Sequence, residues 1–377
     1  MESSVIIIFS LIALFTAYKT YGTFVSHQVS LDDTVETPAH RLKDNIDYVP
    51  AKPPVLLGHH FASIAGAAPI IGPIVAAAYG WLPVVLWLLL GTIFIGAVHD
   101  FLSLIASARH DGQSIGQIVE RHIGMTGKLL FLVFCWSALL LVIAVFIIVV
   151  AKTFATVPSS ATSSVLFIVL AIFFGLTVYR MNASLAVATM VGVSILFTSL
   201  WLGIQFPLSL SINTWVFILI GYVFIASVTP VWILLQPRDY LNSFLLYAAI
   251  GCSVIGIVTN NPEIELPAFT GFHAEGLGSI FPVMFVTVAC GAISGFHSLV
   301  ASGTTSKQLD KESDSKLIGY GGMLLECLLG IIAIITAAVM TTGDYQLILK
   351  EKGPIAIFSQ GVGQFMTALN IPLEAGI

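Results

Sequence analysis

The stretch LLGHHFASIAGAAPIIGPIVAAAY, residues 56–79, decides the fold. It is apolar and of membrane-spanning length, opens on the histidine pair His59 and His60, and is interrupted at mid-depth by Gly66, Pro69, Gly72 and Pro73. A span that only anchors a chain has no use for two titratable rings and a weakened backbone. A solute site in hydrocarbon needs both polar side chains and peptide groups freed from the helix ladder, so the stretch points to a transporter.

The rest of the chain agrees. Its 377 residues are 57% hydrophobic and only 9% charged, with mean hydropathy +0.97; soluble domains carry about 25% charged residues. Ten apolar runs are long enough to cross a hydrocarbon core of about 30 Å. They lie near 4–21, 56–79, 82–107, 128–151, 164–180, 184–203, 215–236, 242–258, 279–301 and 318–341. No Lys or Arg precedes the first run and no small-residue cleavage site follows it, so it is expected to stay as an N-terminal transmembrane helix over 1–21. Of the Lys and Arg residues, twelve fall on one set of alternating loops and only Lys152, Lys350 and Lys352 on the other, which places the N-terminus outside. Cys135, Cys252, Cys290 and Cys327 all sit inside apolar runs and read as small buried thiols. The net charge of -5 and the lack of a basic stripe argue against a nucleic-acid partner.

Residues 22–55 are polar and Pro-bearing and read as a cytoplasmic connector. The stretch RHDGQSIGQIVERHIGMTGK (109–128) suits a short helix at the inner interface, its Arg109, His110, Arg121 and His122 forming a solvated face; 259–278 is the longest external loop. Besides span two, span seven is expected to be broken, where Ser227, Thr229 and Pro230 interrupt FIASVTPVWILLQPRDY (224–240). The two lie five spans apart. Five is odd, so a second five-span unit would enter from the opposite side, which is the inverted repeat of many secondary transporters. The expected units are 56–203 and 204–377.

Five motifs carry a resemblance: GHHFASIAGAAPIIGP (58–73), GAVHDF (96–101), PVWILLQPRDYLNSF (230–244), GAISGFHSLVASGTTSKQL (291–309) and IGYGGMLLE (318–326). Over about 55–341 the chain resembles the carbon starvation protein A family. The resemblance implies a bacterial inner-membrane, all-α polytopic uptake transporter for peptides or pyruvate. It also implies the five-plus-five, LeuT-like inverted repeat of the amino acid, polyamine and organocation group, with spans two and seven discontinuous. Chains of that family continue past the stretch matching GPIAIFSQGVGQFMTALNIP (353–372) into at least one more span; this sequence ends at Ile377, so its second repeat is expected to be one helix short.

At about 1.5 Å per helical residue, His59, His60, His99, Asp100, His297 and Glu326 fall in one layer near the inner face. Charged groups there cost about 2.5 to 3.5 kcal/mol, so they are paired, hydrated or functional. The preferred role is proton coupling, with the four histidines as carriers and the two acids as partners; mutual satisfaction between packed helices is the structural alternative. A metal site from His59, His60, His99, Asp100 and His297 is a further alternative, weakened because adjacent histidines diverge by about 100° and no HxxxH or HExxH spacing occurs. No cofactor is expected.

For substrate, Gly66, Ala67, Ala68 and Pro69 free backbone groups beside half-helix ends. Ser227, Thr229, Ser294, Ser298 and Ser302 add hydroxyls, although close helix packing also explains small residues. Ser294 lies one helical turn from His297 and should share its face. Arg238 and Asp239, at the inner end of span seven, fit a gate or an interfacial helix end. No GxxxxGK[ST] loop occurs, so energy should come from an ion gradient, H+ or Na+. The rivals are a channel, an intramembrane hydrolase using Ser294 and His297, and a receptor or sensor. The sequence therefore reads as a non-enzymatic carrier of a small carboxylate nutrient, working by alternating access in a lipid bilayer.

Overall fold

The computed structural model describes residues 2–181, 183–367 and 369; the last residues of the expected second unit lie outside that set. The chain is predominantly helical. Helices α1 (Ser3–Lys19) and α2 (Tyr21–Val29) form one apolar span, Ser3–Val29. After the short α3 (Pro38–Arg41) come α4 (Pro53–Ile64) and α5 (Ala68–Ala76), the latter continued by one tight turn to Tyr79. Prolines in the first turn start both halves, where the missing N–H costs no helix bond. The two halves meet at a bend of 48°, with Ala65 in a non-helical conformation.

Helices α6 (Trp81–Gly91) and α7 (Ala97–Arg109) are joined by a π-helical turn, Thr92–Gly96, into one 29-residue span. Then follow α8 (Ile115–Ile123), opened by a Ser114/Gln117 capping box, α9 (Met125–Thr156), α10 (Pro158–Gly175), α11 (Leu185–Gln205), α12 (Ile212–Val228) and α13 (Leu235–Asn260). A small hairpin, β1 (His273–Ala274) with β2 (Gly278–Ser279), pairs antiparallel with His273 opposite Ser279. The chain then returns through three pieces, α14 (Ile280–Thr287), α15 (Ala289–Ile293) and α16 (Phe296–Gly303). A second π turn, Lys316–Tyr320, leads into α17 (Gly321–Ala338), followed by α18 (Thr342–Glu351) and α19 (Pro354–Thr367).

Among the described residues, seven helices are long and apolar enough to cross a membrane, and the bent α4–α5 pair makes an eighth. The expected runs 215–236 and 279–301 do not appear as full spans. The first is a 17-residue helix ending at Val228; the second is the α14–α16 sequence of fragments. The break expected inside span seven is thus the end of a helix. After Val228 the chain passes through a turn at Pro230–Leu234, and QPRDY belongs to the next helix. Over 279–301 the helix is interrupted at Ser294, which leaves it with ψ 117.

Burial sorts the helices. In the span ending with α17, 89% of the apolar window is buried, whereas none of the window in α9 is, although α9 is the more hydrophobic. A helix apolar all round sits in the core or faces lipid, and the chain uses both options. The core joins α17 to α1, α5 and α6.

Fractured spans α4–α5 and α14–α16 pack with opposite chain direction: α4 lies against α16, and α5 against α14 and α15. Two glycines permit the approach. A Cβ on Gly72 would meet the Thr287 carbonyl oxygen at 2.3 Å, and one on Gly96 would meet that of Ala292 at 2.2 Å.

Each end of the bundle is tied down. At one end, the 261–279 loop is bonded to the helix ends it covers: Glu265 and Leu266 donate to Ala338 O, Leu82 to Ala268 O, and Thr270 to Tyr79 O. At the other, Arg109 donates to both oxygens of Glu312 at 2.9 and 2.7 Å and to the carbonyls of Val29 and Ser30 at 3.0 Å. Asp33 accepts from Ser313, and Thr37 donates to Leu309 O. Arg109, expected on a solvated face, is therefore a clamp joining α7, the connector and the 305–315 loop.

Candidate functional site

The ionisable residues singled out in the sequence fall into two clusters on either side of α4. The first is built by α7, α16 and α17. His297 presents Nδ1 to Asp100 Oδ2 at 2.7 Å and Nε2 to Glu326 Oε2 at 3.1 Å, and all three side chains are 0% exposed. His99 Nδ1 lies 3.1 Å from the other Asp100 oxygen and is half-exposed. The two bridges differ in kind. The Asp100 contact is a hydrogen bond, whereas the Glu326 contact lacks that alignment, leaving both Glu326 oxygens and His297 Nε2 buried without a hydrogen-bond partner. Buried polar groups are ordinarily satisfied, so the Glu326 contact is the weakly made half of this bridge.

Its local construction follows from the breaks and π turns. Gly295 starts α16 two residues before His297, and the Ser294 break aims that first turn at α7. Wide turns precede both acids. In the turn before Asp100, Thr92 donates to Gly291 O and Ile93 O accepts from Tyr320, the residue that closes the turn before Glu326. Such turns reorient side chains and recur at functional sites.

The second cluster joins α4, α12 and α13. Arg238 donates through Nε and Nη2 to Asp239 Oδ1 at 2.8 and 2.7 Å and through Nη1 to the Tyr222 hydroxyl at 2.8 Å. Asp239 Oδ2 accepts from Ser63 at 2.9 Å and faces His59 Nδ1 at 3.2 Å. Arg238 and Asp239 stand on the first turn of α13, not at the end of span seven. His60 points the other way, its Nδ1 3.0 Å from Thr305 Oγ1 just beyond α16. Neighbouring positions on a helix diverge by about 100°, and the histidine pair uses that divergence to face both clusters.

The remaining expected residues divide. Gly66 and Ala67 lie in the break, and Ala68 and Pro69 open α5. Ala65, at its edge, lines a cavity of ≈ 630 Å³ between α4, α9, α10, α12 and α13. Ser227, exposed, and Thr229, half-buried, donate to their own helix at Phe224 O and Ile225 O. Ser298 donates to Gly295 O and Ser302 to Ser298 O. Ser294 and His297 do not share a helix face, because the break falls between them; Ser294 instead contacts Cys290 Sγ at 3.6 Å.

Cys290 is the residue that sequence reasoning missed. Its Sγ, a His297 ring nitrogen and a Glu326 oxygen lie within 4.8 Å of one another, the one such donor group among the described residues. These donor types suit a zinc-like ion. The set expected from sequence is not gathered, since His59 and His60 take partners of their own. Tyr222 and Asn242 were missed as well; a lone Tyr or Asn in an apolar run carries no motif.

A many-helix, apolar core with a broken helix and buried ion pairs is an arrangement that solute carriers share. The sequence comparisons narrow this: the chain belongs to the carbon starvation protein CstA family, whose model matches residues 2–376. It is 38% identical to the peptide transporter CstA of Escherichia coli (strain K12) over 94% of this chain and 52% of that protein. It is 37% identical to the pyruvate/proton symporter BtsT of the same organism, covering 90% of this chain and 49% of BtsT. The peptide transporter CstA of Bacillus subtilis (strain 168) is 39% identical over 92% of this chain and 60% of its own length. The chain thus spans about half the length of the curated relatives it matches. No solved structure matches it.

Proposed function

We propose that the protein is a proton-coupled secondary transporter of the bacterial inner membrane that imports a small carboxylate nutrient, short peptides or pyruvate, by alternating access. The observation that carries the reading is His297 held between Asp100 and Glu326 with no exposure at any of the three. With all three ionised, the group holds one net negative charge; one further proton makes it neutral. Burying a charge costs several kcal/mol, about 2.5 to 3.5 on insertion scales, so that proton changes which packing of α7, α16 and α17 is favoured. A two-state element biased by a proton is what coupling requires.

Stretches α4–α5 and α14–α16 run in opposite directions, as an inverted pair does, but seven spans apart rather than the five of the expected repeat. The connector end is then cytoplasmic, as the Lys and Arg distribution requires. The name of BtsT, a pyruvate/proton symporter, favours H+ over Na+. Uptake of radiolabelled pyruvate and of a dipeptide by proteoliposomes tests the proposal. An imposed inward proton gradient should drive accumulation of one of them, and a protonophore should abolish it. Accumulation that follows a sodium gradient and ignores the protonophore would overturn the proton assignment.

A further inference from the structure

The cavity beside the α4 break has a built polar floor, and it is this that selects an occupant. Arg238 lines it. A guanidinium has five N–H donors. Three are used, by Asp239 through Nε and Nη2 and by Tyr222 through Nη1, which leaves one on each Nη. The Tyr222 hydroxyl accepts from Arg238 and keeps its own O–H to donate. Asp239 does not repel an incoming anion strongly, because one oxygen is taken by the guanidinium and the other accepts from Ser63, with His59 Nδ1 3.2 Å away.

Two further polar atoms in this lining have no partner. Asn242 Oδ1, one turn along α13 from Arg238, is a buried acceptor without a donor, and Trp215 Nε1–H is a buried donor without an acceptor. Leaving such a group unpaired costs about 1–3 kcal/mol, so either atom gains from a ligand atom that reaches it. The walls between them are apolar, with Phe146 and Phe154 of α9 prominent.

Resting on the transporter reading above, we infer that this cavity is the substrate site and that it takes an extended peptide of two or three residues. Arg238 and Tyr222 hold the C-terminal carboxylate, Asn242 accepts from a ligand N–H, and Trp215 donates at the far end. Seven residues separate Trp215 from Tyr222 on α12, a rise of about 10 Å. An extended chain covers about 3.3–3.6 Å per residue, so about three residues fill that distance. A volume of ≈ 630 Å³ also leaves a three-carbon acid poorly enclosed.

The test is titration calorimetry on the purified full chain in nanodiscs with dialanine, trialanine, pentaalanine, trialanine C-terminal amide, pyruvate and laurate. Di- and trialanine should bind, the amide at least tenfold more weakly, and pentaalanine not measurably. Arg238→Gln should weaken trialanine at least thirtyfold. In case that variant fails to fold, Val150→Trp fills the cavity from α9, leaves the Arg238 side chain in place and should also abolish binding. Equal binding of acid and amide, unchanged binding in Val150→Trp, laurate binding without peptide binding, or no binding of any ligand would each overturn the assignment. Peptide binding of the expected pattern without proton-driven accumulation in liposomes would keep this site and sink the coupling reading. Proton-driven accumulation with equal handling of acid and amide would do the reverse.

Discussion

His297 Nδ1 lies 2.7 Å from Asp100 Oδ2, and neither side chain has any exposure. The bond ties α16, the last fragment of a fractured span, to α7. It also orients the ring so that Nε2 faces Glu326 on the central helix α17.

Replacing His297 by Ala strands two buried carboxylates. Breaking a buried pair costs about 3–5 kcal/mol, so His297→Ala should lower the thermal midpoint of the detergent-solubilised protein and abolish pH-driven accumulation. Glu326→Gln removes the proton site but adds no buried charge. It should leave the midpoint nearly unchanged, lower accumulation at least tenfold and spare ligand binding. If accumulation by Glu326→Gln still follows the pH gradient, Glu326 is not a carrier.

The glycine contacts predict a sharper stability loss than helix propensity does. Gly96→Ala would press a methyl group against the Ala292 carbonyl at 2.2 Å, so backbone must move. Overpacking costs about 1–3 kcal/mol, which a thermal-shift measurement resolves. Gly295→Ala, with open space around it, should be far milder.

Ser227→Ala and Thr229→Ala should change stability by less than about 0.5 kcal/mol and leave uptake unaltered, because each hydroxyl serves only its own helix. A tenfold uptake loss in either would restore the broken-span-seven reading.

The clamp at the connector end should be acid-sensitive. Hydrogen bonding from Arg109 holds the Glu312 carboxyl below its ordinary range. A depressed folded value means that the stabilisation is present above the ordinary glutamate value of about 4.3 and is lost as pH falls through the lower folded value. Hydrogen exchange at Asp32, whose N–H bonds Glu312 Oε2, should therefore accelerate in that acid window, and Arg109→Gln should accelerate it at neutral pH.

Much of this architecture was legible in the residues. Pro and Gly spacing placed a break at Gly66–Pro69, where the helix is interrupted at 65–67, and the scarcity of charge made His59, His60, Asp100, His297 and Glu326 conspicuous. What pattern could not supply was partnership. A rise of about 1.5 Å per residue fixes depth but not azimuth between helices, so one expected shelf proved to be two clusters. Pro230 misled because proline ends a helix as readily as it fractures one, and the true second fracture at Ser294–Gly295 carries no proline. Arg109 and Cys290 looked unremarkable locally; Glu312 and Val29 lie far off in sequence, and Cys290 meets His297 only across the Ser294 break.

The back-to-back histidines of α4 have a mechanical corollary. Since one rigid helix carries both rings, any roll that loosens His59 from Asp239 must also change how His60 sits against Thr305. The two ionisable clusters share a single axle, and neither can turn without the other registering it.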